Sequence, residues 1–283
     1  MQIATSPRGP ARRRRRPVLL AALAATAVGA GALLTGCGTD ATGDTGASGA
    51  SGAGTDSPSP SREQESAPKV LWMGDSIAGV EGPALEAALT ASGVEFMNAS
   101  SDGGGTVVEG DEMSSQLAES TWEDLEGNIA SFRPDVIAYQ ITTYDWGTPE
   151  QQRSSYEKLA GTARDAGAEL VLVSAPPFRI DDFYRPYESA IESAPEVAGE
   201  VAEASGGRVH FLDSAQLWGT ESDAERAQRA PDGIHSCQQG SAAFAAWLSE
   251  ELGERYDFAP AAPEEWADGS WTGDERFAQL GCS

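Results

Sequence analysis

Five short apolar runs, spaced by segments of helical pattern, set the strongest constraint on what this chain folds into. They are Val70–Met73, Val94–Met97 (interrupted only by Glu95), Val136–Ile141, Leu170–Val173 and Val209–Leu212. Runs of four to six residues are too short for buried helices. Their near-continuous apolar character is that of strands covered on both faces. Between them lie patterns predicting helices over 84–91, 114–132, 149–166, 187–204 and 240–252. Pro134 stops the second, and a break is expected near Pro195 in the fourth. The last places Phe244, Trp247 and Leu248 on one face. Strand–helix alternation of this kind predicts an α/β class: a three-layer α/β/α sandwich around a parallel sheet of about five strands. Residues 68–283 suffice for one such domain. The last stretch, 256–283, carries Trp266, Trp271 and Phe277 and is expected to pack back onto it.

The first 67 residues follow a different logic. Arg12–Arg16 form a basic cluster, Val18–Leu34 is apolar and rich in small residues, and Leu34-Thr35-Gly36-Cys37 follows at once. This is the layout of a secretory signal. Its end resembles a bacterial lipobox, which implies cleavage after residue 36, lipidation of Cys37 and an extracytoplasmic, membrane-anchored location. The apolar stretch is short for a membrane span; an uncleaved anchor helix is the alternative. Arg15-Arg16 loosely resembles a twin-arginine signal, so the export route stays open between folded and unfolded translocation. Residues 38–67 are almost entirely Gly, Ser, Thr, Ala, Asp and Pro. Such a segment buries no core and is expected to be a disordered tether spanning roughly 30 Å.

Removing residues 1–36 leaves 13 basic against 44 acidic residues, a net charge of −31. A surface of that sign repels nucleic acid and anionic headgroups, so nucleic-acid binding is not expected. Two histidines and no clustered Cys/His spacing give no support to a metal site, and no cofactor is implied. With Cys37 in the lipobox, Cys237 and Cys282 remain, an even pair in an oxidising compartment. A disulfide between them is expected, two independent thiols being the alternative. Closing 45 residues is worth about 4 kcal/mol on a chain-entropy argument. It would also pin the tail beside His235.

In open α/β sheets ligands bind beyond the carboxyl ends of the strands. The first strand runs into Gly74-Asp75-Ser76, and the second leads to a turn with three consecutive glycines, Gly103-Gly104-Gly105. The third runs into Thr142-Thr143-Tyr144-Asp145-Trp146, and a polar loop after the fifth carries Asp232-Gly233-Ile234-His235. A serine, a glycine turn and an Asp/His pair therefore converge on one edge. Those are the groups that acyl-transfer chemistry requires: a nucleophile, backbone donors for an oxyanion, a base, and a carboxylate to orient the base. An α/β-hydrolase elbow, Gly-x-Ser-x-Gly, is not matched, because Ser76 is followed by Ile77-Ala78-Gly79. His210 lies inside a strand and is expected to be structural or on the surface; Asp75 is expected to cap or brace the turn and not to be the acid. Tyr144 and Trp146 are expected to pack in the core, with stacking on a sugar ring as the alternative.

Over most of residues 69–255 the chain resembles the SGNH (GDSL-type) hydrolases, whose fold is flavodoxin-like. Gly74-Asp75-Ser76-Ile77 matches the family's first block and Asp232-Gly233-Ile234-His235 its last. The resemblance implies Ser76 as nucleophile, His235 as base and Asp232 as the acid that orients it. It also implies an oxyanion hole formed by the N–H groups of Ser76 and of Gly103 or Gly104. At the third block the chain departs from the family: Tyr144 stands where the family carries an asparagine whose side chain is a third donor. Gln140 and Thr143 are the candidates to replace it. An aromatic here also resembles SGNH domains fused to membrane acyltransferases. The expected function is a monomeric serine esterase acting on a small-molecule or glycan ester, an O-acetyl group for instance, outside the cytoplasm. The alternatives are an acyltransferase with the same triad and a non-catalytic glycan- or wall-binding lipoprotein.

Overall fold

The computed structural model describes residues 68–282. The proposed signal, Cys37 and the tether lie outside the described residues. Five strands, β1 (Lys69–Met73), β2 (Glu95–Asn98), β3 (Val136–Gln140), β4 (Glu169–Val173) and β5 (Val209–Leu212), form one all-parallel sheet in the order β2-β1-β3-β4-β5. The described residues enter the sheet at β1, next to its edge, wind outward to β2, then return past β1 to β3. The strand order therefore reverses between β1 and β3, the switch point where α/β sheets open a crevice.

Alternation along the strands sorts the core into two layers. Val70, Trp72, Val136, Ala138, Val171 and Val173 face one side. There they meet α1 (Ser76–Ala91), α6 (Gln238–Tyr256) and the C-terminal tail. Leu71, Met73, Ile137, Tyr139, Leu170 and Leu172 face the other, against α2 (Glu112–Phe132), α3 (Pro149–Asp165) and α4 (Glu188–Ala204). A short α5 (Ala215–Trp218) follows β5 and α7 (Glu275–Gln279) lies in the tail. The α/β/α sandwich predicted from the strand spacing is the fold observed.

Two helices differ from expectation. α1 begins at Ser76, eight residues before the predicted start, and runs through Gly79, Gly82 and Pro83. These read as helix breakers, but Gly82 and Pro83 each have a tertiary purpose. A Cβ on Gly82 would collide with the Asn98 side chain, so this glycine lets the end of β2 pack against the helix. Pro83 lacks the N–H that would bond the Gly79 carbonyl four residues back. Arg276 of the tail supplies the missing donor, its Nη1 lying 2.7 Å from Gly79 O. α4 runs unbroken through Pro195 because Ala194, Val197, Ala198 and Val201 are buried along it. Burial of that stripe outweighs the roughly 3 kcal/mol cost of one interior proline.

The tail packs as expected. Trp266, Trp271 and Phe277 are buried in the α1/α6 layer, and Cys237 and Cys282 are disulfide-bonded with their Cα atoms 5.6 Å apart. The bond holds the tail to the residue that caps α6, two positions after His235. A Cβ on Gly281 would meet Pro231, so the end of the tail lies against the loop that carries Asp232.

Candidate active site

Gly74 leaves β1 with φ at +153°, a conformation costly for any residue with a side chain. A Cβ there would clash with Ala78 at 2.6 Å and crowd Gln140. The turn ends at once in a helix, capped by Asp75, whose Oδ1 accepts from the Ile77 N–H at 2.9 Å. Ser76 is thereby the first residue of α1. Its N–H is among the donors that a helix leaves without internal partners. The other carboxylate oxygen of Asp75 accepts from both the N–H and the hydroxyl of Thr143, each at 2.8 Å. Burial pushes the Asp75 carboxyl above its ordinary range, against the pull of those donors. Asp75 thus pins the turn after β1 to the loop after β3 across the switch point.

Asp232 and His235 sit on a loop closed by its own backbone. Gly233 N–H donates to Ala230 O (2.8 Å), Ala230 N–H donates to His235 O (2.7 Å), and Gly233 takes φ +75°. Arg179, from the loop after β4, donates through its guanidinium to Asp232 O and through its N–H to Gly233 O. Asp232 Oδ1 accepts the N–H groups of Ile234 and His235 at 2.9 and 3.1 Å. Its Oδ2 lies 2.7 Å from His235 Nδ1. His235 Nε2 in turn lies 2.9 Å from Ser76 Oγ, across 159 residues of chain. Desolvation is the largest single influence on Asp232 and pushes its carboxyl up. The hydrogen bonds from His235 and the two N–H groups, with the charge of the imidazole, outweigh it and hold the group below its ordinary value. The histidine and aspartate side chains keep 18% and 32% of their surface exposed, so the line of contacts opens to solvent.

With Asp232 ionised and bonded to Nδ1, His235 presents a bare Nε2 lone pair to Ser76. The arrangement is able to draw the serine proton, carry it and return it.

The glycine turn after β2 meets the serine turn through Gly105. A Cβ there would strike the Gly74 carbonyl, and its φ is +79°. Gly104 packs against Leu117. Gly103 is exposed, and its N–H points to Ser101 Oγ at 3.5 Å. The sequence singled out Gly103 and Gly104; the close approach of the two turns is made by the third glycine.

Neither candidate for the third donor is free. Gln140 Nε2 donates to Glu81 Oε2 at 2.8 Å, and Thr143 spends its N–H and hydroxyl on Asp75. Tyr144 is half-buried in an aromatic group. Its ring centroid is 5.1 Å from Trp146 and 6.4 Å from both Phe183 and Tyr184. Burial, then the charge of Asp75, push its phenol above the ordinary value. Trp146 is buried and stacks on Tyr187 at 3.5 Å, which is the packing role expected for it.

Three groups were missed by sequence reasoning. Asp145 is fully buried and accepts four hydroxyls: Thr106, Tyr139 and Thr142 on Oδ1 and Tyr156 on Oδ2, at 2.6–2.7 Å. Burial pushes its carboxyl above the ordinary range, against the pull of those four donors. It locks the β3 loop to the glycine turn through Thr106. Glu81, on α1, is fully buried between Gln140 and Ser236. Arg229, just before the Asp/His loop, donates to Ile234 O at 3.1 Å and lies 4.5 Å above the Trp218 ring. His210 takes the structural place expected, between Glu169 and Arg255.

No family model and no curated protein sequence matches the chain. Among solved structures it is similar to a GDSL-like lipase of Bacteroides thetaiotaomicron at 15% identity, with 66% of this chain and 88% of that one covered and a TM-score of 0.48. It is also similar to an acetylxylan esterase mutant of Geobacillus stearothermophilus, at 16% identity, 66% and 95% coverage and a TM-score of 0.46. An α/β hydrolase from the Lake Arreo metagenome matches at 18% identity, with 66% and 95% covered and a TM-score of 0.45.

Proposed function

We propose that the chain is a serine ester hydrolase of the SGNH type. The observation that carries this reading is the unbroken line Ser76 Oγ–His235 Nε2 (2.9 Å), His235 Nδ1–Asp232 Oδ2 (2.7 Å) at the switch point of the sheet. Ser76 Oγ attacks the ester carbonyl while His235 Nε2 takes its proton. The tetrahedral oxyanion is held by the N–H of Ser76 and that of the glycine turn. Gly104 is assigned here, because the N–H of Gly103 is directed at Ser101 Oγ. Imidazolium His235 returns the proton to the departing alcohol, leaving an acyl-Ser76. Water, deprotonated by His235, then releases the acid and restores the serine. Asp232 holds the neutral tautomer and stabilises the imidazolium.

The hole has two backbone donors. Loss of a third costs about 10²–10³ in rate in hydrolases that use one. Tyr144 takes the missing asparagine's place, its ring packed among Trp146, Phe183 and Tyr184. The reaction is assigned to the extracytoplasmic side. The lipobox-like Leu34–Cys37 and the Cys237–Cys282 disulfide support that location. Small acyl groups on a small-molecule or glycan alcohol are the substrates assigned to this site, whose His235 and Asp232 side chains reach solvent.

Acyl transfer is the second reading, on the strength of the aromatic at Tyr144. Purified protein is expected to turn over p-nitrophenyl acetate faster than the butyrate and octanoate. Adding a sugar acceptor is expected to leave free acetate as the main product. Acetylated sugar in its place would establish the transferase. No turnover of any ester would overturn both.

A further inference from the structure

We propose that Glu81 is a positioning residue for the reaction assigned to Ser76, fastening the histidine loop to the helix that carries the serine. The inference rests on the catalytic reading above and goes beyond it.

Glu81 is five residues after Ser76 on α1 and is fully buried. Its two carboxylate oxygens serve two different elements. Oε2 accepts from Gln140 Nε2 at 2.8 Å, at the end of β3. Oε1 accepts from Ser236 Oγ at 3.2 Å, the residue directly after His235. One side chain therefore ties together the helix of the nucleophile, the strand beside it and the loop of the base. Burying a carboxylate is costly, and a leucine or methionine would fill the same volume without that cost. The arrangement suits a role in alignment more than one in packing.

The charged groups facing Glu81 are Arg229, from the segment before His235, and Asp75, from the turn before α1. Arg229 reinforces the same loop. Its Nη1 donates to Ile234 O at 3.1 Å and its Nε to Ala227 O at 2.7 Å. Burial pushes the Glu81 carboxyl up to about 7, with the Arg229 charge opposing it. Both protonation states preserve the tie. The carboxylate accepts from Gln140 and Ser236. The acid accepts from Gln140 and donates its hydroxyl to Ser236 Oγ. A glutamine at this position reproduces the acid's pattern, with the amide oxygen toward Gln140 and the amide nitrogen toward Ser236. A leucine makes neither bond.

The experiment is steady-state hydrolysis of p-nitrophenyl acetate by Glu81→Leu, Glu81→Gln, Ser236→Ala and the Glu81→Leu/Ser236→Ala double variant, beside wild type and Ser76→Ala. Misplacing a catalytic group by about 1 Å costs up to about 10²-fold. Glu81→Leu is therefore expected to lower kcat roughly 10- to 100-fold with KM little changed, and Glu81→Gln to restore most of that loss. Ser236→Ala is expected to lower kcat, and the double variant to be no worse than Glu81→Leu alone, because both changes sever one connection. Wild-type kcat in Glu81→Leu, a Glu81→Gln as impaired as the leucine, or losses that multiply in the double variant would overturn the inference. Should Glu81→Leu fail to fold by circular dichroism, the other two single variants decide. Ser236→Ala must then lower kcat and Glu81→Gln must keep most of it, and either result reversed overturns the proposal. Full activity in Ser76→Ala brings down the catalytic reading and this inference with it. A normal loss in Ser76→Ala beside a wild-type Glu81→Leu brings down this inference alone.

Discussion

Ser76→Ala is expected to lower kcat/KM for p-nitrophenyl acetate by about 10⁴–10⁶-fold while leaving the thermal midpoint close to that of wild type. The size of the loss follows from the role assigned to the hydroxyl. Without Oγ no acyl-enzyme forms, and what remains is whatever the backbone donors and His235 achieve with water as nucleophile. The structural silence follows from the surroundings. The side-chain bond made by Ser76 in the structure is the one to His235. The cap of α1 belongs to Asp75, and alanine is a better helix former than serine. A variant that loses activity and stability together would point to a structural serine. The predicted separation of the two is what identifies a chemical one. Stopped assays with circular dichroism melts on the same preparation read both.

Asp232→Asn is expected to cost about 10⁴-fold in kcat, again with the fold retained. The two oxygens of Asp232 have different duties. Oδ1 holds the loop, accepting from the N–H groups of Ile234 and His235, and Oδ2 holds the ring, 2.7 Å from Nδ1. An asparagine keeps the first duty through its carbonyl oxygen. At the second position it offers an N–H in place of an acceptor, which favours the imidazole tautomer with its proton on Nε2. That tautomer donates toward Ser76 and cannot take its proton. Because the aspartate carboxyl is held below its ordinary value, it stays ionised throughout the neutral range. Any fall in wild-type kcat with acid across the neutral range therefore does not come from Asp232 losing its charge. Measuring kcat from pH 5 to 9 checks this: the asparagine variant is expected to be slow at every pH. A variant within tenfold of wild type would show that the carboxylate does not orient the base.

Much of this architecture was legible in the chain because the signals for it are local. Continuous apolar runs name parallel strands, and their order along the chain fixes which loops share an edge. That order alone brings Ser76 and His235, 159 residues apart, to one edge. What was hidden depends on long-range partners. Gly79, Gly82 and Pro83 have the composition of a loop. They lie in a helix because Asn98 needs the space and Arg276 supplies the missing donor. Glu81, in the middle of that stretch, is one acid among the chain's 44. Nothing in its neighbours announces Gln140 and Ser236. Three adjacent glycines gave no way to choose Gly105 as the one against Gly74. Asp145 draws its four hydroxyls from a turn, a strand, a loop and a helix. The departure at Tyr144 was visible, but not that both substitute donors, Gln140 and Thr143, are engaged elsewhere.

Covalent labelling reads out whether Ser76 is a nucleophile activated by His235. The folded protein would be incubated with a fluorophosphonate and the adduct mapped by peptide mass spectrometry. One phosphonyl group per chain is expected, on Ser76, abolished in Ser76→Ala and slowed at least a hundredfold in His235→Ala. Folded wild-type protein that takes up no label, or takes it up on a different residue, would contradict it.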